Sequence, residues 1–320
     1  AYIDALKENT YSSFLKYLNR YPNASRAPEA RERYEKLLFE AKTKDRKLTS
    51  YKTFIKEYPA SPYRHQAELQ VFEISTASGE PDDFMAFMRE YPNSPLFNKA
   101  RNIFYHIAQE NNTAIPPAVL NDSLKMLIKL EQEYLVPVYR DGKFGFMDAH
   151  GNEIIKPLAT EIGREYRCGN ILEELLVLDQ LVVARNGAVV FKGEVEELDD
   201  LGYGFLFIYG NDCGAVVHKS GFVIEPCVDD ARVLSGAYLA IRKHKQWSIK
   251  TFTGRELAIG SFDDADAIDD VLVLKQVGKV ILKRKEQLAP AADQLPVTFG
   301  NKYDEAKRWG SDMIWVRMGN

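Results

Sequence analysis

The sequence predicts an α+β, multidomain chain: an all-α array of helix pairs over residues 1–134, then an all-β array of short strands over 135–320. Three observations predict it. Tyr-Pro dipeptides recur at Tyr21-Pro22, Tyr58-Pro59 and Tyr91-Pro92, with apolar residues at fixed distances around each. A hairpin pattern, Lys143-Phe144-Gly145-Phe146-Met147-Asp148-Ala149-His150-Gly151 followed by Ile154-Ile155-Lys156-Pro157, returns in weaker form toward the C-terminus. Between the two arrays no Gly/Ser linker occurs, so the helical arm is expected to dock rigidly on the β part.

In the helical half the Tyr-Pro anchors lie 37 residues apart (22 to 59) and then 33 (59 to 92). Seven before the Tyr stand Phe14, Tyr51 and Phe84; four before, Tyr17, Phe54 and Phe87; three before, Leu18, Ile55 and Met88. Nine after stand Ala30, Ala67 and Ala100; thirteen after, Tyr34, Val71 and Phe104; sixteen after, Leu37, Ile74 and Ile107. Spacings of three, four and seven put such residues on one helical face. Each unit reads as helix, Pro-containing turn, helix, because Pro cannot continue the first helix. Ala marks the close approach of two helices. Ala1 to Lys7 aligns with the end of a repeat's second helix, so the array is expected to begin upstream. Pro116-Pro117 ends it, and a last amphipathic helix carries Leu120, Leu124, Leu127 and Ile128 to about Glu133.

In the β half the copies align on the Gly that closes each turn: Gly151, Gly193, Gly221 and Gly254, with Glu286 at that place in a fifth copy. Alternating strands precede them at 136–140, 181–185, 205–209, 238–242 and 271–275. Acidic pairs followed by Ala recur at Asp229-Asp230, Asp263-Asp264 and Asp304-Glu305. Regular short strands with turns between predict a radial or stacked repeat, and a closed, propeller-like ring is favoured because closure hides sheet edges. The final residues, Met313 to Asn320, match the strand that precedes each hairpin. Either the chain is cut within a longer protein or this strand completes the first blade; periodicity does not separate the two.

A period near 34 in helix pairs, with Tyr-Pro-Ala-Ser-Pro at 58–62 and Tyr-Pro-Asn-Ser-Pro at 91–95, resembles the tetratricopeptide-like repeats of bacterial envelope lipoproteins and assembly factors. The hairpin at 143–151 resembles the WG (tryptophan-glycine) repeat of bacterial proteins, with Phe144 in place of the Trp; the copy at 246–254 keeps Trp247. These resemblances imply a bacterial protein exported to the envelope, with protein partners.

Composition excludes several classes. A net charge of −4 with no long basic run argues against nucleic acid as partner. No apolar run reaches the about 18 residues of a membrane span. The richest, Ile171 to Ala184, is broken by Glu173, Glu174 and Asp179. No signal peptide is visible, and the chain opens at Ala1 without a Met.

No catalytic, cofactor or metal motif is found. The acidic pairs lack the Asp-x-Asp-x-Asp-Gly spacing of a calcium loop, and turn capping is the better reading. The five His (65, 106, 150, 218, 244) share no ligand spacing and read as exposed turn residues. Cys168, Cys213 and Cys227 form no Cys-x-x-Cys. Cys213 and Cys227 are symmetric about Ser220; paired in that register they come within disulfide reach, and otherwise they are two separate buried thiols. The expected function is a non-enzymatic protein-interaction scaffold without cofactors. The alternative is a small-ligand or glycan-binding β domain, which predicts a pocket lined by polar and aromatic residues from several repeats.

Overall fold

The computed structural model describes residues 1–257, 260–288, 302–311 and 313–319. Eight helices come first: α1 (Tyr2–Glu8), α2 (Tyr11–Arg20), α3 (Ala27–Lys42), α4 (Leu48–Glu57), α5 (Arg64–Ser75), α6 (Pro81–Glu90), α7 (Phe97–Glu110) and α8 (Asp122–Leu130). Helices α2/α3, α4/α5 and α6/α7 are the three pairs that the Tyr-Pro anchors divide.

The anchors act alike. Tyr21, Tyr58 and Tyr91 each follow the last residue of a first helix. Each donates its backbone N–H to the carbonyl four residues back, at 2.8–2.9 Å. Their ψ angles of 58–60° are the same non-helical setting, as the following Pro requires. Ala30, Ala67 and Ala100 are fully buried where the paired helices meet. A second device joins successive turns. Ser61 Oγ donates to Glu35 of the previous repeat, and Ser94 Oγ to Glu68, both at 3.0 Å. The first repeat has Ala24 at that position.

From Leu135 the described residues form strands and turns, with short 3-10 helices at Arg164–Tyr166 and Lys285–Gln287. The first sheet is β1 (Leu135–Arg140), β2 (Lys143–Asp148) and β3 (Glu153–Ala159); the second is β4 (Leu175–Leu178), β5 (Leu181–Ala184) and β6 (Val189–Lys192). The third has four strands: β7 (Glu197–Gly202), β8 (Phe205–Gly210), β9 (Cys213–His218) and β10 (Val223–Val228). The fourth is β11 (Asp230–Leu234), β12 (Tyr238–Lys243) and β13 (Gln246–Thr251). The fifth is β14 (Asp264–Ile268), β15 (Val271–Gln276), β16 (Lys279–Arg284) and β17 (Lys302–Tyr303), and the last pairs β18 (Glu305–Trp309) with β19 (Met313–Arg317). Within each sheet, sequential strands are antiparallel neighbours. The described pairing of Met313–Arg317 is with Glu305–Trp309.

The hairpin at 143–151 folds as its residues dictate. Phe146 pairs with Ile155 and Met147 with Glu153, and the Gly151 N–H returns to the Asp148 carbonyl. Gly145 is required by proximity: a Cβ there would lie 2.5 Å from the Ile155 carbonyl oxygen. The acidic pairs do cap turns. Asp229 accepts from Lys245 N at 3.0 Å, Asp263 from Val277 N at 2.7 Å, and Asp304 from Gly319 N at 2.6 Å. The first two caps steady tight turns with φ > 0, which costs energy at the non-Gly residues His244, Lys245 and Val277.

The two halves share one core. Phe72, Phe84, Phe104 and Ile107 of the helices lie in the same buried cluster as Phe205, Phe207, Leu239 and Phe252 of the third and fourth sheets. Polar ties reinforce it: Lys99 donates to the Thr253 carbonyl at 3.2 Å, and Arg255 to Gln70 at 2.8 Å. Gly79 meets the fourth sheet so closely that a Cβ would stand 2.7 Å from Ala237 Cα. The second helices α5 and α7 therefore face the sheets.

Candidate functional site

Where α7 and α8 meet the second and third sheets, a cavity of about 410 Å³ opens. Helix α7 supplies Tyr105, His106, Gln109 and Glu110, and the end of α8 supplies Leu127 and Glu131. Leu172 and Glu174 stand just ahead of β4, Arg185 directly after β5, Gly204 between β7 and β8, and Lys219 after β9. Acids, an imidazole, a phenol and two cations thus converge from both halves and from two β repeats.

Arg185 is buried and Lys219 half-buried. Arg185 is 3% exposed and bonds only backbone carbonyls: Leu172 at 2.9 Å, Ile171 at 3.1 Å, and Glu133. Its Nε has no partner. Lys219 is fully matched, with Glu174 at 2.7 Å and Asp200 at 2.8 Å. Burial lowers its pKa, but these carboxylates outweigh that and raise it. On the rim, Glu131 accepts from Gln109 at 2.7 Å, and Glu110 from Tyr203 N at 3.3 Å. Burial is the main cause that pushes the Tyr105 hydroxyl well above its ordinary pKa, with the Glu131 charge beside it adding to the rise.

Two histidines overturn the expectation that all five are exposed turn residues. His106 and His218 are buried and pack edge to face with ring centroids 5.0 Å apart. The reason is docking: α7 presses His106 onto the third sheet, where His218 ends β9 between Phe205 and Phe222. Desolvation lowers the His106 pKa to about 3 and carries His218 well below the ordinary imidazole range. His65, His150 and His244 are exposed.

His218 also sits 2.8 Å from Ser220 Oγ, a separation that suits a nucleophile and its base. Its place in the repeat gives the better account. The equivalent residues, Asp148 and Thr251, likewise use their side chains to close the turn: Asp148 accepts from His150 N and Asn152 N, and Thr251 from Arg255 N. His218 does the same with Ser220 N at 3.1 Å. Glu133, Asp148 and His150 bring one ligand-type atom each within 4.8 Å of one another, but the Asp148 carboxylate is already committed to this turn.

The disulfide weighed for Cys213 and Cys227 is not formed; both thiols are free. Bulges shift the β9–β10 register so that Val217 pairs with Val223 but Gly214 with Val228, and Cys227 falls at an irregular position with φ 51°. Nor are the thiols separate and buried: Cys227 is exposed, and its contact raises the Cys213 pKa. Cys168 is exposed.

The sequence reading missed Tyr105, Glu131, Glu174, Arg185 and Lys219 as a group. One signal was present: Arg185 ends an apolar alternating strand, where a charge has to be buried or to mark the end of the strand. No protein-family model, curated protein or solved structure matches the chain. Among the described residues, no helix is long and apolar enough to cross a membrane.

Proposed function

We propose that the protein is a non-enzymatic protein-binding module. In this reading the helical half is a tetratricopeptide-like array, and the β half a WG-type, propeller-like array that holds it rigid. The supporting observation is a track of clefts along the Tyr-Pro turn edge. One cleft, about 950 Å³, lies between the turn at Pro22–Pro28 and the next at Ala60–Tyr63. The second, about 580 Å³, lies between Ser61–Glu68 and Glu90–Pro95, and both include Pro62. Prolines on such walls lose little entropy on binding, which suits an extended segment of a partner. The role of His218 in closing its turn supports a non-enzymatic reading. An envelope location belongs to the same reading, and a full-length gene product without an export leader would remove it.

The test is capture by the immobilised chain. Arg31 and His65 line the two clefts. The double variant Arg31→Glu/His65→Glu should lose a partner that the unaltered chain holds, while Lys16→Glu, outside the clefts, should keep it. A partner held equally by all three chains would sink the track as the binding surface.

A further inference from the structure

We propose that the junction cavity binds a small zwitterion of the amino-acid class, with its carboxylate inward against Arg185 and its ammonium outward between Glu110 and Glu131. The site is separate from the turn-edge clefts and does not rest on them.

The charge layout carries the argument. A guanidinium has five N–H donors; the carbonyls of Leu172, Ile171 and Glu133 take three, which leaves the Nε–H and one Nη1–H. No carboxylate touches this buried cation among the described residues. The charges of Glu173, Glu131, Glu133 and Glu174 act on Arg185 only from beyond contact distance, and a carboxylate is the geometric complement of a guanidinium fork. Lys219 needs no further anion, since Glu174 and Asp200 already hold it. The rim is acidic. Glu131 and Glu110 each use one oxygen on the protein and keep the other for a donor.

With Glu174 and Asp200 balancing Lys219, Arg185 is the cation left inside and Glu110 and Glu131 are the anions at the rim. A ligand with both charges satisfies both. The volume of about 410 Å³ suits a single small molecule. A sugar fits less well. Its usual aromatic platform is missing, because Tyr105 is only 1% exposed. Leu127 and Leu172 instead offer an apolar wall for a side chain.

The experiment measures the melting temperature of the whole chain with each of the twenty protein L-amino acids separately, and with glucose, galactose and N-acetylglucosamine. At least one amino acid should raise the midpoint by about 3–5 °C at about 100-fold excess over its Kd. Its amide and its deaminated analogue should each lose most of that shift. Glu110→Gln/Glu131→Gln should weaken binding about 10-fold or more, while Asp141→Asn, in a distant turn, should not. Three results overturn the proposal: no amino acid shifts the midpoint, only a sugar does, or binding survives amidation or the rim variant.

Discussion

The first and third helical repeats carry the same apolar columns in different surroundings. Tyr34 and Leu37 on α3 are half-buried, whereas their equivalents on α7, Phe104 and Ile107, are buried. The contrast is sharper one step off the repeating columns. Glu35 and Lys36 of the first repeat become Phe72 and Glu73 in the second, then Tyr105 and His106 in the third. Columns that repeat build the contact between paired helices, and in the third repeat they also join the core shared with the sheets. Columns that change build the contact with the sheets. The third repeat therefore lies wholly within the core shared with the sheets, whereas the first packs most of its apolar face against α1 and its own paired helix.

The largest expected break in this comparison is a matched truncation. Ile107→Ala should destabilise the chain by about 4 kcal/mol, because a fully enclosed site leaves a cavity on both sides. Leu37→Ala, at a half-exposed face, should cost about 1 kcal/mol. Urea unfolding of both variants reads the difference, and equal losses would mean that the sheets do not support α7.

Acid should act on the docked end next. An unfolded imidazole titrates near about 6.5. In the fold, burial holds His106 down to about 3. The unfolded chain then binds more protons below pH 6.5. The contribution is fully present above that pH and is lost as pH falls toward 3. At pH 4.5 this one group should remove about 3 kcal/mol. Unfolding titrations between pH 7 and 4.5 measure the slope, and His106→Phe should flatten it.

The smallest effect sharpens the comparison at the turn edge. Ser94→Ala removes the clamp to Glu68 and should cost about 1 kcal/mol. Ala24→Ser, which places a hydroxyl where the first repeat has none, should change stability by less than about 0.5 kcal/mol. Denaturation midpoints of the two variants check the asymmetry.

Much of the architecture was legible because it depends on local chemistry. A Pro after Tyr stops a helix wherever it falls, and a Gly three residues after Asp148 closes a turn within its own hairpin. The junction was less legible because it is written in residues that do not recur. No repeating column marks His106 as buried, and the imidazole that packs on it, His218, lies more than a hundred residues away along the chain. The register of Cys213 and Cys227 failed for another reason. The pairing shifts twice along β10, and no residue type in the sequence marks where the shifts fall. Arg185 stayed hidden because its partners are backbone carbonyls, which every sequence has.

The acids that cap the tight turns set where this array divides into modules. Asp229 and Asp263 each stand before an outer strand that is followed by the hairpin whose turn they hold. A segment cut to start at a hairpin leaves its own cap behind, on the neighbour. A segment cut to start at the acid carries cap, strands and turn together. Grafting or duplicating repeats of this protein should therefore join at the acid, although the hairpin is the part the eye finds first.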